Sequence, residues 1–403
     1  MAQYTGASPK THGIWYDDVW DWTYYNSGTS CQGQPGAEVQ YAENIDYNSS
    51  LLFSGGIDPS QLPLTLINGK CTLVVPHQRV LVNTVFGVLN SSGLESAYVD
   101  KHPAYDVVNG PSGHGVTTGY FPEIAAVGGT VNDTIAYDML HVNAWLNYID
   151  GVTPVNSTYG QLSAGKMPSL FGGNFQSVSV AQKTAGYNKD LSFTGPLLQA
   201  LDFVDGSLGK LVAKLKQKNY LDDTLIIVAS KHGQAPVNPS LYNTIDPQNL
   251  TDAAGVPVAW ATTDDIALFW LNSTNDIPTA VQNLQAKASA LHIQEIISGS
   301  ALIAQGFGDP LQSSRVPHFI VRPTLGTIYT TSKKKIAEHG GLSSDDRLVA
   351  CFASNPKLNQ TVVTDRVDTK QVAPTILKAL GLDPNSLQGV VAEQTQPLGQ
   401  VFG

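Results

Sequence analysis

Apolar positions along this chain fall into short runs, and the spacing inside each run predicts an element. From Leu197 to Lys218 they recur at Leu201, Val204, Leu208, Val212 and Leu215, the three-and-four spacing of an amphipathic helix. Tyr220–Asp223 then gives a turn. Thr224–Ala229 is an apolar run without alternation, which predicts a strand in a sheet covered on both faces. Helix, turn and strand in that order make half of a β-α-β unit and point to the α/β class. Residues 134–149 predict a second amphipathic helix through Leu140, Val142, Leu146 and Ile149, and residues 80–90 have helical spacing. Strands are expected at 96–99, within 261–271, at 318–322 and at 348–353, with a helix at 275–290. Gln371–Leu380 reads as a helix stopped by Gly381, with Pro384 just beyond.

Residues 1 to about 75 show little periodicity. Trp15, Tyr16, Trp20, Trp22, Tyr24 and Tyr25 need apolar surroundings, so this segment is expected to form long ordered loops rather than disorder. No linker-like stretch or internal repeat interrupts the chain. Residues 1–403 are therefore expected to form a single domain with long loop insertions.

The chain is 403 residues long, 42% apolar and 14% charged, enough for a large core. Its net charge of -10 argues against nucleic acid as a standing partner, because the longest basic run is Lys333–Lys335. No apolar stretch approaches the roughly 18 residues of a transmembrane segment. The opening Met1-Ala-Gln-Tyr-Thr-Gly is not a signal peptide. Seven N-x-S/T triplets, at Asn48, Asn90, Asn132, Asn156, Asn249, Asn272 and Asn359, nonetheless fit a secreted or cell-surface glycoprotein in full-length form. Cys31 and Cys71 flank a Gly/Pro-rich region and are candidates for a disulfide, whereas Cys351 follows Val349–Ala350 and is expected to be a buried thiol. Cysteine usage alone leaves the compartment open.

The candidate chemistry centres on two His-Gly steps beside predicted strands. Ser230–Lys231–His232–Gly233–Gln234 forms the tip of strand 224–229, where an open α/β sheet places its active residues. His339 lies in "KKIAEHGGLSSDD". Imidazole is a good zinc ligand, and an adjacent glycine lets the backbone turn at a crowded site. The competing reading is loop histidines hydrogen-bonded to backbone. His77 and His102 also sit in Gly- or Pro-punctuated segments, while His12 in "PKTHG" and His114 in "PSGHG" read as structural turns. Asp17, Asp18 and Asp21 cluster near His12, and Asp345–Asp346 fit a helix or strand start. Neither HExxH nor a phosphate loop ending in GK[ST] is present.

The stretches "TGASPKTHGIWYDD", "DKHPAYDVVNGPSG", "YFPEI", "MPSLFGGNFQSVSVAQK", "LDFVDGSLGKLVAKLKQKNYLDDTLIIVASKHGQAP", "IAEHGGLSSDD" and "QVAPTILKALGLDP" resemble the type I phosphodiesterase/nucleotide pyrophosphatase branch of the alkaline phosphatase superfamily. The resemblance spans nearly the whole chain. It implies a mostly parallel central sheet sandwiched between helices, with two metal ions, typically zinc, at its carboxyl edge. It also implies hydrolysis of phosphate esters through a Thr or Ser nucleophile, on a small phosphate-ester or other anionic substrate.

Carried over residue by residue, that pattern is broken in this chain. The family's nucleophile lies nine residues before the Thr of "TG…P…HG", here Thr5–Gly6…Pro9…His12–Gly13, and so falls ahead of Met1. The first strand and its aspartate fall there too, so both segments are expected to be missing. The Asp-His-Gly motif matches Lys231–His232–Gly233, and an ammonium has no lone pair for a metal. The later histidine is kept as His339. The Asp-x-x-x-His pair falls in "NFQSVSVAQK", which offers Gln176, Ser177, Ser179 and Gln182, none a strong zinc ligand. Zinc or another divalent metal would then have only His232 and His339, a site incomplete by residue type. Lys231, at a catalytic position, would take over part of the metal's electrostatic role, with Lys183 and Lys166 contributing to a metal-free anion site. The expected function is an impaired phosphate-ester hydrolase. The alternative is a catalytically inactive pseudoenzyme or ligand-binding secreted glycoprotein.

Overall fold

The computed structural model describes residues 1–53 and 55–402. Its largest sheet has four strands in the order Val258–Thr263, Ala267–Leu271, Phe319–Pro323 and Ile293–Ser298, every ladder antiparallel. Side chains alternate across this sheet as the pleat requires. Phe269, Leu271, Phe319 and Val321 cluster with Leu250 and Leu284 from the helices Pro247–Ala254 and Ile277–Ala286. Leu268, Trp270 and Ile320 cluster instead with Trp15, Val19 and Tyr24. The aromatic-rich start of the chain is thus ordered as one cover of this sheet. Its own hairpin-like pair, Asp18–Asp21 with Ala37–Gln40, brings Trp20 into a stack on Trp260 with ring centroids 6.1 Å apart.

The expected mostly parallel central sheet is not what forms. Of ten strand ladders among the described residues, seven are antiparallel. The parallel ones join Ser96–Val99 to Thr118–Tyr120 and to Leu170–Gly173, and Asn243–Ile245 to Thr327–Tyr329. The physical reason is visible in Ala267–Leu271, whose five residues are all buried although both its neighbours run antiparallel. A continuous apolar run reports burial on two faces and carries no information on strand direction. The stretch 261–271 also holds the two antiparallel strands of a hairpin rather than one strand, because Asp264–Asp265 turn the chain.

The helix Gly195–Gln217 and the strand Ile226–Ala229 form where the periodicity places them. That strand is half-buried, however, and its ladder is an antiparallel one with Cys351–Ser354. Cys351 is consequently exposed, against expectation, because its short strand has little cover. The Cys31–Cys71 disulfide is formed.

The three-stranded parallel sheet positions most of the chemistry. Ser96–Val99 is buried throughout and delivers Asp100, Lys101 and His102 at its carboxyl end. Leu170–Gly173 leads into the helix Ser177–Thr184. The helix Val131–Ile149 packs behind both and fixes the start of Ser177–Thr184: the buried Asp138 carboxylate accepts from the backbone N–H of Gln176 at 2.9 Å and of Ser177 at 2.8 Å. A carboxylate at a helix N-terminus answers both the orphan donors and the dipole.

Candidate functional site

The two His-Gly steps singled out in the sequence meet in space. The rings of His232 and His339 lie 4.3 Å apart between centroids. Glycine is required beside each of them by packing. A Cβ on Gly233 would strike the backbone oxygen of Asp345, and one on Gly340 (φ 104°) the hydroxyl of Tyr16. Short antiparallel pairing of Ala235–Pro236 with Ala337–Glu338 holds the two loops in register.

Tautomers follow from the partners. The Nδ1–H of His232 donates to the Gly233 carbonyl at 2.6 Å, which leaves its Nε2 with a lone pair. Lys183 Nζ lies 2.9 Å from His339 Nε2. An ammonium only donates, so His339 Nε2 is the acceptor and its lone pair is engaged. Burial holds both rings neutral: His232 is lowered to about 4, and His339 to about 2, the latter aided by the Lys183 charge. Lys183 is itself lowered, first by burial, and lies 3.9 Å from the buried Glu338. Lys231 is an exposed residue whose Nζ stands 5.7 Å from the centroid of the Tyr105 ring. Lys101, Lys183 and Lys231 all disfavour protonation of the two imidazoles, while the Glu338 and Asp100 carboxylates face Lys183 and Lys231 in turn.

The helix Ser177–Thr184 supplies what the sequence reading left unresolved. Ser179 and Lys183 stand four residues apart, on one face of it. Ser179 Oγ and Gln234 Oε1 are 2.8 Å apart, and Gln234 Nε2 donates to the Ser179 carbonyl at 2.8 Å, clasping the helix to the 230–234 loop. Gln176 caps the helix and Ser177 is buried at its start, away from this face. Lys166, expected to contribute charge, sits instead in an exposed turn against Gly151. Of the two lysines named from the sequence as contributors to an anion site, Lys183 is the one that reaches the histidines.

This donor set does not fit a two-metal centre. Among the described residues, one group of three or more His, Cys, Asp or Glu side chains brings ligand atoms within 4.8 Å of one another, and it contains neither His232 nor His339. It is Asp46, His102 and Glu123, all buried. Only His102 was noticeable in the sequence. Asp46 and Glu123 lie 56 residues before and 21 residues after it, with no common spacing motif. Two hollows of about 340 and 350 Å³ lie elsewhere on the surface and are lined by neither cluster.

Comparison with known proteins places the chain. The family model for "Type I phosphodiesterase / nucleotide pyrophosphatase" matches residues 1–343. The structure of murine ectonucleotide pyrophosphatase/phosphodiesterase 5 aligns with a TM-score of 0.56 at 13% identity, covering 95% of this chain and 83% of that one. An inactive variant of the murine protein in complex with AMP aligns at 0.54 and 13%, covering 95% and 82%. The human counterpart aligns at 0.54 and 11%, covering 94% and 82%. At such identities the likeness is one of fold. No curated protein sequence matches the chain.

Proposed function

The chain belongs to the type I phosphodiesterase/nucleotide pyrophosphatase family, and from that premise we propose that its Lys183–Lys231–His232–His339 cluster is a metal-free site for small phosphate esters. The observation that carries this reading is the Lys183 ammonium 2.9 Å from His339 Nε2. A cation bonded to that nitrogen would have to stand where the ammonium now stands. The protein has replaced a divalent charge by the charge of a lysine, which clamps a phosphate oxygen but neither polarises water strongly nor anchors a displaced oxyanion. Lys231, where the family has a carboxylate, adds to the same electrostatic field. The neutral His232 offers its free Nε2 to a phosphate hydroxyl or a bound water. Binding of a phosphate ester is thereby retained while hydrolysis is impaired.

The murine neighbour's complex with AMP makes a nucleoside monophosphate the first ligand to try. The test is calorimetric titration of the full chain with AMP in the presence of a chelator, for the wild type and for Lys183→Met with Lys231→Met. Saturable binding that weakens in the double variant, on the order of 10- to 100-fold for a lost charge-assisted bond, is the expected result. Hydrolysis of a nitrophenyl phosphodiester that requires zinc and disappears with His339→Ala would overturn it.

We further infer passage through an oxidising, glycosylating compartment. No helix among the described residues is long and apolar enough to cross a membrane. What supports the inference is the Cys31–Cys71 disulfide together with the exposure of all seven N-x-S/T asparagines. A mass decrease on glycosidase treatment of protein expressed in a secreting eukaryotic host is the outcome expected. An unmodified mass in that host would sink the glycoprotein reading.

A further inference from the structure

Away from the Lys–His cluster, three loops converge on a second group of polar side chains. Asp46 follows the short turn Glu43–Ile45 and is 8% exposed. His102 is 3% exposed and precedes the turn Pro103–Asn109. Glu123 is fully buried and precedes the turn Ile124–Ala126. His102 Nδ1 lies 2.8 and 2.7 Å from the two carboxylate oxygens of Glu123. Glu123 Oε1 also accepts from the Ala125 N–H at 2.7 Å. Asp46, by contrast, accepts from no protein N–H or hydroxyl at either carboxylate oxygen, and the group it meets is the Glu123 carboxyl. Among the described residues no Lys or Arg forms an ion pair with Asp46 or Glu123.

A buried carboxylate with no N–H or hydroxyl donating to it is costly, and a second carboxylate beside it raises the cost. A cation resolves both. Two carboxylates and an imidazole are the donor set of a first-row divalent ion such as zinc or manganese, and the imidazole disfavours magnesium and calcium. The three ligand atoms already lie within 4.8 Å of one another. Donors on a tetrahedral zinc stand about 3.4 Å apart, so His102 Nδ1 and Glu123 would open by roughly 0.6 Å to admit the ion, with Asp46 closing on it from the third side. The far nitrogen of the same ring completes the pattern. His102 Nε2 lies 3.5 Å from Glu43 Oε2, and the Glu43 side chain is half-exposed at the rim. A ligating histidine characteristically gives its other N–H to a carboxylate, which fixes the tautomer that ligates.

We propose that Asp46, His102 through Nδ1 and Glu123 bind one zinc-class divalent cation, with Glu43 as the acceptor that orients the imidazole. The ion ties the loop carrying residues 43–46 to the chain just beyond strand Ser96–Val99. It shares no ligand with the Lys–His cluster, so its presence or absence leaves the phosphate-site reading untouched.

The experiment is a zinc titration of chelator-stripped full chain against a competing dye, with manganese and magnesium in parallel. The wild type, Asp46→Asn, Glu123→Gln, Glu43→Gln and the double variant His232→Asn/His339→Asn are compared, folding being checked by circular dichroism. One zinc per chain is expected in the wild type and equally in the double histidine variant. Affinity should fall at least about 100-fold in Asp46→Asn and Glu123→Gln on loss of a ligand, and about 10- to 100-fold in Glu43→Gln. Magnesium should not compete. No zinc binding tighter than about 100 µM would overturn the proposal and leave a proton shared between Asp46 and Glu123. So would binding that survives Asp46→Asn and Glu123→Gln but is lost with His232 and His339. Should one acidic variant fail to fold, the other carries the same comparison.

Discussion

Replacing Ser179 by Asp and Lys183 by His in one molecule should create a zinc site where the protein now has none. Residues 179 and 183 are i and i+4 on the helix Ser177–Thr184, so their Cβ atoms stand about 5–6 Å apart on one face. That face already reaches His339, since the Lys183 ammonium is 2.9 Å from its Nε2. An imidazole at 183 is shorter than the lysine it replaces and stops short of His339. Two nitrogens on a tetrahedral zinc need about 3.3 Å between them, given Zn–N bonds of about 2.0–2.1 Å. The carboxylate introduced at position 179, no longer tied to Gln234, supplies the third ligand, and three protein ligands with an open position is the arrangement of catalytic zinc.

For a Kd of about 1 µM, 100 µM zinc stabilises the folded state by about 2.7 kcal/mol. An unfolding entropy of about 2.1 cal/mol/K per residue makes that a rise in Tm of about 3 °C for a chain of this length. The measurement is differential scanning fluorimetry with and without zinc and chelator, in an Asp46→Asn background that removes the other cation site. Lys183→His alone, lacking the carboxylate, should respond less. A folded double variant whose Tm ignores zinc would refute the placement of Ser179 and Lys183 around His339. A parent chain that binds zinc through His232 and His339 in the same background would refute the claim that Lys183 excludes metal.

Three further outcomes are expected. Lys183→Met should raise the pKa of His339 from about 2 without restoring an ordinary value, because burial is the larger cause and the lysine charge the second; a histidine chemical shift that titrates unchanged would count against the contact. Asp265 is pushed up to about 9 by burial and then by Asp346 and Asp264, so the folded state keeps a proton that the unfolded chain loses near pH 4. That contribution is fully present below pH 4 and is lost as pH rises toward 9, so Asp265→Asn should flatten the decline in Tm between pH 5 and 8, and an equal slope in both proteins would contradict it. Phe269→Ala, which empties a fully buried position stacked on Phe319 at 4.8 Å, should cost about 3–5 kcal/mol in urea unfolding, and a loss below about 1 kcal/mol would mean that the core lies elsewhere.

Helix positions were legible wherever the apolar period was long. Leu197–Lys218 and 134–149 predict helices that form as Gly195–Gln217 and Val131–Ile149, because a stripe of buried residues and its period have the same origin. Ser96–Val99 was legible for a similar reason. Strand direction was not. "ALFWL" is buried on both faces by helices on one side and by the aromatic N-terminal segment on the other. That sandwich gives an antiparallel strand the same apolar signature as a parallel one. The distinction lies in connection geometry: Asp264–Asp265 make a tight turn between Val258–Thr263 and Ala267–Leu271, and a turn that short permits only antiparallel pairing.

The site divides along the same line, between what sequence neighbours determine and what only packing determines. His232 and His339 could be found because each needs a glycine at its side, and the reason is a backbone contact that a Cβ would block. Lys183 and Lys166 were both suggested by proximity along the chain alone, and only Lys183 reaches His339, while Lys166 lies in an unrelated turn. Asp46 and Glu123 are harder still, since what distinguishes them from any loop acid is burial side by side with, among the described residues, no lysine or arginine paired to either. That property belongs to the converged loops and to no single stretch of residues. It also separates the two clusters chemically. Around His339 the protein supplies its own positive charge through Lys183, so the imidazole lone pair is satisfied and an anion is the ligand to expect. Around His102 it supplies two carboxylates with which, among the described residues, no lysine or arginine forms an ion pair, and that is the ground on which a cation is proposed there.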